Sequence, residues 1–304
     1  MLVFFGSSKY SIPTLEVLLK HDYKIIVVTT PDKPAGRHLR LQANPLSFFA
    51  QKNDLVIIKL SKLDQRTLKK LAGTPPRSQS APRRSSPQNP LLGVCCVHGK
   101  IIPQTWLNYF EKGIINIHPS LLPKYRGSSP AQFALLNNEA STGITFIKMD
   151  EQCDHGPIIY QEKQPILPED TAENIYSRLF ALAAKKLPWV IENYSNGKLK
   201  PSSQDHSQAS FTQRLKKEDG LIKKEDLKKA LTNKKMAELI DRKRRALTPW
   251  PGIYTEISLG GKTKRLKILK THLEKNKLVI DEVQLEGKRP VTFWQFSSSY
   301  SEIF

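Results

Sequence analysis

Asn116 and His118 lie two positions apart near the end of an apolar stretch, and the carboxylate of Asp154 follows a second such stretch. Side chains at positions i and i+2 of a β-strand project from the same face. Asn116 and His118 are therefore predicted to point together from the end of one strand. A second strand is predicted to end near Asp154 and to bring its carboxylate toward His118.

An amide, an imidazole and a carboxylate together suit acyl transfer to an amine. The amide N–H donates to the oxyanion of a tetrahedral intermediate, and an imidazole moves protons near neutral pH. The carboxylate orients the ring and stabilises its charged form. No serine or cysteine nucleophile is required, because the attacking amine belongs to the substrate.

The same residues also allow less specific interpretations. Asn-x-His on a strand is often ordinary hydrogen bonding, and Asp-x-Gly is often a turn. A hydrolytic triad would use Ser120 or Ser128, but neither lies in a Gly-x-Ser-x-Gly turn. The seven histidines show no ligand-like pair, so no metal is predicted. Gly6-Ser7-Ser8 lacks the other glycines of a dinucleotide-binding loop.

Alternating strands and helices must position these residues. Apolar, β-branched stretches at residues 2–5, 24–30, 55–58 and 91–97 predict strands. Between the first two, the apolar residues of 12–19 recur at helical spacing and predict a helix. This alternation predicts an α/β fold with a mostly parallel sheet. Ligands of open sheets of this kind bind beyond the carboxyl ends of the strands.

The last third of the chain has a different pattern. Residues 198–210 are polar and predict a linker, and a helical stretch covers residues 224–244. Short strands are predicted at residues 254–257, 265–269, 277–280 and 290–294, with Gly260-Gly261 as a hairpin turn. Short strands at this spacing predict a small barrel or sandwich.

Positive charge is the strongest feature of the composition. Lys and Arg number 48 against 28 Asp and Glu, giving a net charge of +20, and residues 211–304 hold 22 basic and 12 acidic residues. A basic lobe indicates a polyanionic partner such as nucleic acid, although solvated lysine-rich faces would give the same count.

The remaining composition indicates a cytoplasmic protein. No apolar run is long enough to cross a bilayer, and residues 1–6 resemble a first strand more than a signal peptide. Three cysteines form neither a disulfide framework nor a Cys-x-x-Cys metal pair, which favours a reducing compartment.

Residues 116–127, read Asn-Ile-His-Pro-Ser-Leu-Leu-Pro-Lys-Tyr-Arg-Gly, together with Asp154 resemble the signature of the folate-dependent formyltransferases. Three further segments are similar to those members that act on methionyl-tRNA. They are Pro-Asp-Lys-Pro-Ala-Gly-Arg at 31–37, Gly-Lys-Ile-Ile-Pro at 99–103 and Pro-Trp-Pro-Gly at 249–252. The resemblance extends over residues 2–296.

This resemblance implies a Rossmann-like formyltransferase catalytic domain (1–197), a linker (198–210) and a basic OB-like β-barrel domain that binds tRNA (211–304). It implies 10-formyltetrahydrofolate as donor and the α-amino group of methionyl initiator tRNA as acceptor, a reaction that supports translation initiation. We expect a bacterial-type cytoplasmic protein and, by default, a monomer, and no protein partner is predicted. The implied catalytic residues are Asn116, His118 and Asp154, and the implied folate-binding residues are Ser120, Leu121, Leu122 and Pro123. The implied tRNA-binding residues are Lys33, Arg37 and Arg40, cations suited to phosphates.

The chain departs from the family at residues 73–90, which are rich in Pro, Ser and Arg. About a dozen residues are extra here, and His98 stands where the family commonly has tyrosine. The segment is either a true surface insertion, which loops tolerate, or a local reading-frame error. Two alternative functions remain open: an inactive tRNA-binding relative with a pocket damaged around residues 73–97, or a formyltransferase for another amine such as a nucleotide amino sugar.

Overall fold

The computed structural model describes residues 1–35, 40–74 and 91–300, and these form two compact units. The first unit comprises Met1–Gly127, Gly143–Gln164 and Tyr176–Phe211, and the second comprises Ser128–Thr142, Pro165–Ile175 and Thr212–Phe304. The boundaries implied by the sequence, 1–197, 198–210 and 211–304, treat each domain as one continuous segment and stay a prediction.

The strands of the described residues fall into two main sheets and two short pairs. They are β1 (Leu2–Gly6), β2 (Ile25–Thr29), β3 (Lys33–Ala35), β4 (Arg40–Gln42), β5 (Val56–Lys59), β6 (Leu92–Cys96), β7 (Ile114–His118), β8 (Arg126–Gly127), β9 (Ser141–Lys148), β10 (Ile158–Pro165), β11 (Phe211–Thr212), β12 (Ile253–Leu259), β13 (Lys262–Glu274), β14 (Lys277–Leu285) and β15 (Val291–Thr292).

The α-helices vary from one turn to 24 residues. They are α1 (Ile12–Lys20), α2 (Pro45–Lys52), α3 (Gln65–Ala72), α4 (Gln104–Leu107), α5 (Pro130–Leu136), α6 (Ala172–Ser195), α7 (Lys224–Ala230), α8 (Lys234–Leu247) and α9 (Phe293–Ser299). Within the described ranges, none of them has the length and apolarity needed to cross a bilayer.

A seven-stranded sheet in the order β10-β9-β7-β6-β1-β2-β5 forms the centre of the first unit. Strands β5, β2, β1, β6 and β7 are parallel, and β9 runs antiparallel to β7. Every residue of β1, β2 and β6 is buried, as expected for parallel strands covered on both faces. The predicted Rossmann-like, mostly parallel sheet is confirmed, and the carboxyl ends of its five parallel strands meet at one edge.

Strand β6 is central to this sheet and follows the proline-rich segment. It pairs with β1 on one side and β7 on the other, in a register that sets Cys95 opposite Asn116. A side chain at Gly93 would contact Ile114 at 2.8 Å, so glycine allows β6 and β7 to approach closely. The strand predicted at 91–97 is therefore present, while residues 75–90 lie outside the described residues.

Local signals in the sequence account for several helix starts. The Asn44 side chain accepts a hydrogen bond from the Ser47 amide at 2.9 Å, and Pro45 occupies the first turn of α2. Asp64 and Thr67 form a reciprocal capping box at α3. Asn44 Nδ2 also donates to Thr29 Oγ1 at 3.0 Å, so α2 begins beside the carboxyl end of β2.

The second unit contains an antiparallel sheet in the order β12-β13-β14-β15, covered by helices. Its core includes the fully buried side chains of Leu227, Leu266 and Val283. Gly260 and Gly261 have φ values of 55° and 73° and form the two-residue turn between β12 and β13, as predicted.

The helical stretch predicted for residues 224–244 comprises two helices, α7 and α8, and Asn233 caps α8 by accepting from the Met236 amide at 3.0 Å. The strand predicted at 290–294 ends early, because Thr292 caps α9 by accepting from the Gln295 amide at 3.2 Å.

Candidate active site

Strand β7 presents Asn116 and His118 near its carboxyl end. Asn116 lies between Cys95 of β6 and Ile147 of β9, and His118 lies opposite Thr145. Asn116 is half-buried, whereas His118 is only 4% exposed. An interior strand thus fixes both side chains on one face and removes most of the solvent from the imidazole.

The Asp154 carboxylate brings the three predicted catalytic residues together. Its Oδ1 accepts a hydrogen bond from Asn116 Nδ2 at 3.1 Å and lies 3.5 Å from His118 Nδ1. Its Oδ2 accepts from the Gly127 amide at 2.8 Å. The carboxylate therefore bonds both to β7 and to Gly127 in the segment after it, although Asp154 lies 38 positions after Asn116 in the sequence.

The hydrogen bonds of His118 determine which ring nitrogen can exchange a proton. Nε2 lies 3.0 Å from the main-chain carbonyl oxygen of Tyr125, which can only accept, so Nε2 carries a hydrogen. Nδ1 then holds the lone pair of the neutral ring. At 3.5 Å from Asp154 Oδ1, Nδ1 is beyond ordinary hydrogen-bond length, but close enough for the carboxylate to stabilise a protonated ring.

The nearby cysteines are poor nucleophiles. Burial raises the pKa of the Cys96 thiol to about 12, and burial also raises the pKa of Cys95. Burial and the adjacent Asp154 carboxylate raise the pKa of Cys153 to about 11, and its Sγ lies 3.4 Å from Asp154 Oδ2 as a donor. All three thiols stay protonated at neutral pH, so the site offers no thiolate for covalent catalysis.

The predicted folate loop, residues 120–123, is held by a buried threonine. Thr145 Oγ1 donates to the Ser120 carbonyl at 2.6 Å and accepts from the Leu122 amide at 3.2 Å. The Ser120 hydroxyl donates to the Lys124 carbonyl at 2.7 Å. Ser120 and Leu122 are buried, whereas Leu121 and Pro123 keep exposed surface that a ligand can contact. Their folate-binding role stays a prediction.

Two of the three predicted tRNA-binding residues, Lys33 and Arg40, lie on the β3–β4 hairpin. Lys33 opposes Gln42, Ala35 opposes Arg40, and both cations are exposed. Arg37 lies outside the described residues. A cavity of about 340 Å³ opens at the base of the hairpin beside Ser7 and Asn44, at the carboxyl ends of β1 and β2.

Several contacts of the site were not predicted from the sequence. The Tyr125 carbonyl and the Gly127 amide belong to the twelve-residue motif, but only the fold brings these main-chain atoms to His118 and Asp154. Gln204 was assigned to a linker, yet it is buried and donates to the Asp154 carbonyl at 2.9 Å. No periodicity marks such a residue. Among the described residues, no cluster of His, Cys, Asp and Glu could hold a metal ion.

His98 follows β6 and is buried, with its ring edge-on to Phe5 at 5.7 Å between centroids. Burial lowers the pKa of its imidazole from 6.5 to about 4. A main-chain contact to Gly6 raises this pKa, and the positive charge of Lys100 lowers it further. The neutral ring is thus part of the packed wall beneath the carboxyl end of β6.

We expect His98→Phe to make the protein more resistant to acid. The unfolded chain takes up a proton on His98 below pH 6.5, whereas the folded protein does so only near pH 4. The stability that His98 contributes is therefore complete above pH 6.5 and is lost as the pH falls toward 4. Relative to the wild type, the variant should gain about 2–3 kcal/mol in free energy of unfolding between pH 7 and pH 4.5, measured by urea denaturation at both pH values. An equal pH dependence in both proteins would refute this expectation.

Comparisons with known proteins agree with this geometry. The family model described as formyl transferase matches residues 2–191, and the model described as formyl transferase, C-terminal domain, matches residues 214–278. The methionyl-tRNA formyltransferase of Geobacter sulfurreducens is 33% identical over 98% of this chain and 93% of its own length. That of Chloroflexus aurantiacus is 35% identical over 84% of this chain and 75% of its own length.

Solved structures of formyltransferases share the fold. The methionyl-tRNA formyltransferase from Clostridium thermocellum matches with a TM-score of 0.60 at 18% identity, over 93% of this chain and 97% of that one. The N-formyltransferase from Helicobacter canadensis, in complex with folinic acid and dTDP-3-aminofucose, matches with a TM-score of 0.63 at 18% identity, over 96% and 98% of the two chains. This protein therefore belongs to the methionyl-tRNA formyltransferase family of formyl transferases.

Proposed function

We propose that this enzyme transfers the formyl group of 10-formyltetrahydrofolate to the α-amino group of methionyl initiator tRNA, and that it acts in the cytoplasm as a monomer. The observation that carries the proposal is the meeting of Asn116, His118 and Asp154 at the carboxyl end of β7. These groups can stabilise charge and move a proton, while the protonated cysteines leave the nucleophile to the substrate.

The groups around β7 suit a formyl donor. Asn116 Nδ2 has two hydrogens and gives one to Asp154, so a second N–H remains for the oxygen of an acyl group. Leu121 and Pro123, in the loop that follows β7, are half-buried and offer apolar surface. When bound, 10-formyltetrahydrofolate supplies a formyl carbon attached to a nitrogen leaving group.

Each catalytic residue then has one task. Asn116 donates to the formyl oxygen as negative charge develops there, while the amine of the acceptor attacks the formyl carbon. His118 takes the proton lost by that amine at Nδ1 and delivers it to the departing nitrogen. Asp154 stabilises the protonated ring and holds Asn116 in position. The products are a formylated amine and a folate with N10–H, so atoms and charge balance.

The net charge of +20 supports a tRNA acceptor. Some of the basic residues have structural partners, which leaves fewer candidates for contact with RNA. In the second unit, the buried Arg244 and the half-buried Arg245 pair with Asp241 at 3.2 and 2.8 Å, and Lys243 Nζ donates to the Leu221 carbonyl at 3.0 Å. Those three cations stabilise the fold. Exposed cations of β13 remain as candidates for phosphate contact, and they are Lys262, Arg265, Lys267 and Lys270.

We expect the double substitution Lys33→Ala and Arg40→Ala to weaken binding of initiator tRNA without changing binding of the folate. Both side chains are exposed on the β3–β4 hairpin, so their loss removes phosphate contacts and leaves the β7 site intact. The slope of log affinity against log salt should become shallower by about one for each lost contact. Filter binding over a salt series measures it, and Lys52→Ala, an exposed lysine at the end of α2, is the control. An unchanged slope would remove these residues from the interface.

A direct transfer assay tests the proposed function. The full chain is incubated with 10-formyltetrahydrofolate labelled in the formyl group and with methionyl initiator tRNA. Label on the methionine supports the proposal, and the Asn116→Ala variant serves as the control for contaminating activity. Label on a nucleotide amino sugar instead would support the alternative acceptor. Binding of tRNA without any transfer would support an inactive relative.

A further inference from the structure

Residues 202–210, here called the strap, pack along the first unit beside the catalytic residues. Ser202 and Ile158 exchange two main-chain hydrogen bonds, at 2.7 and 2.9 Å. His206 stacks on His155 with ring centroids 4.1 Å apart and accepts from Arg126 Nη2 at 2.8 Å. A segment with a linker's composition is thus fastened to the unit at several points.

Gln204 connects the strap to the turn that carries Asp154. Its side chain is only 5% exposed, and its Nε2 donates to the carbonyl oxygens of Asp154 at 2.9 Å and Gly156 at 2.8 Å. Its Oε1 accepts from Arg126 at 3.2 and 2.7 Å. The amide therefore uses both of its hydrogens and both acceptor positions. It also holds a turn in which Asp154 has a φ of 51°, a backbone conformation that a non-glycine residue rarely adopts.

Ser210 connects the strap to the second partner of His118. Its Oγ accepts from the Tyr125 amide at 2.9 Å, and its carbonyl accepts from the Arg126 amide at 2.8 Å. The Tyr125 carbonyl is the acceptor for His118 Nε2. Tyr125 also has a positive φ, 61°, so the strap supports another backbone position that is unfavourable in isolation.

We propose that Gln204 and Ser210 are positioning residues that together fix the orientation and tautomer of the His118 imidazole. Gln204 holds the main chain of Asp154, whose carboxylate faces Nδ1. Ser210 holds the main chain of Tyr125, whose carbonyl binds Nε2. These two side chains of the strap then support the active site, and their loss lets the ring rotate or change tautomer. The effect on catalysis rests on the proposed function, because it requires that His118 be catalytic. The effect on the tautomer of the His118 ring does not depend on that function.

The test uses the full chain with two strap variants and a matched control. Gln204→Met removes both donors to the Asp154 turn, and Ser210→Ala removes only the acceptor for the Tyr125 amide. Gln208→Met is the control, because Gln208 lies in the same segment and its Nε2 donates to Asp205, at 2.8 Å, rather than to the Asp154 turn or to Tyr125. Ser210→Ala is the small change that remains informative if Gln204→Met impairs folding.

Formyl transfer to methionyl initiator tRNA is the first readout. Turnover should fall by about tenfold or more in both strap variants, with KM for tRNA changed by less than about twofold, because a displaced catalytic group lowers rate more than binding. In a His118→Ala background the same substitutions should lower turnover by less than about twofold, since they act through that ring. Gln208→Met should match the wild type.

The second readout is independent of activity. Proton–nitrogen correlation spectra of the histidine rings should show His118 with a hydrogen on Nε2 in the wild type and in Gln208→Met, and a mixture of tautomers in the strap variants. A His118 spectrum and turnover that match the control in both strap variants would overturn the inference, as would a full loss of rate that persists in the His118→Ala background. A wild type that transfers no formyl group would refute the proposed function, while the spectra would still decide the role of the strap.

Discussion

Replacing His118 with alanine is expected to lower the turnover of formyl transfer by about a hundredfold or more. Nδ1 of this ring is the nitrogen with a lone pair, and it faces the Asp154 carboxylate at 3.5 Å. Without it, the proton of the attacking amine must reach the leaving nitrogen through water. The rate of label transfer to methionyl-tRNA at saturating concentrations of both substrates measures the loss.

The control for this substitution is His21→Ala, since His21 is exposed after α1. It should keep the turnover of the wild type. Affinity for tRNA should be unchanged in His118→Ala, because the buried ring carries no phosphate contact. A His118→Ala variant that retains turnover within about threefold of the wild type would remove His118 from the proton path.

Gly156→Ala should reduce both turnover and stability. A methyl group at Gly156 would overlap the main-chain carbonyl of Lys148, on the neighbouring strand β9, so the backbone itself must move. That movement displaces the turn that carries Asp154. We expect turnover to fall by about a hundredfold, as for a misplacement of about 1 Å, and the free energy of unfolding to fall by about 2 kcal/mol or more.

Gly73→Ala is the matched control for this prediction. Gly73 has a φ of −84°, and a methyl group there would have its nearest contact at an ordinary 3.5 Å. Transfer assays and denaturant unfolding compare the two variants. Wild-type activity in Gly156→Ala would mean that the Asp154 turn tolerates displacement, and that the carboxylate is not needed in its present place.

The grouping of Asn116, His118 and Asp154 could be predicted from sequence because two of them obey simple geometry. Asn116 and His118 share a strand face by their spacing, and a parallel sheet puts strand ends at one edge. The approach of Asp154 was predicted from the strand expected to end near it, and the resemblance to the family supported it, because Asp154 lies 36 positions after His118 and no periodicity links them.

The supporting contacts could not be predicted because main-chain atoms make most of them. Tyr125 acts on His118 through its carbonyl and Gly127 acts on Asp154 through its amide, so their side-chain types reveal nothing of these roles. Gln204 contacts carbonyls 48 and 50 residues away from a segment whose composition is typical of a linker. Similarly, the positive charge of residues 211–304 indicated a polyanionic partner, whereas two of its arginines, Arg244 and Arg245, pair with the buried Asp241.

The segment 202–210 also has a consequence for how members of this family can be recombined. A chimera that joins one catalytic region to another C-terminal region at residue 197 would separate Asp154 and Tyr125 from the residues that hold them. A graft whose boundary lies after Ser210 keeps these contacts within one parent sequence.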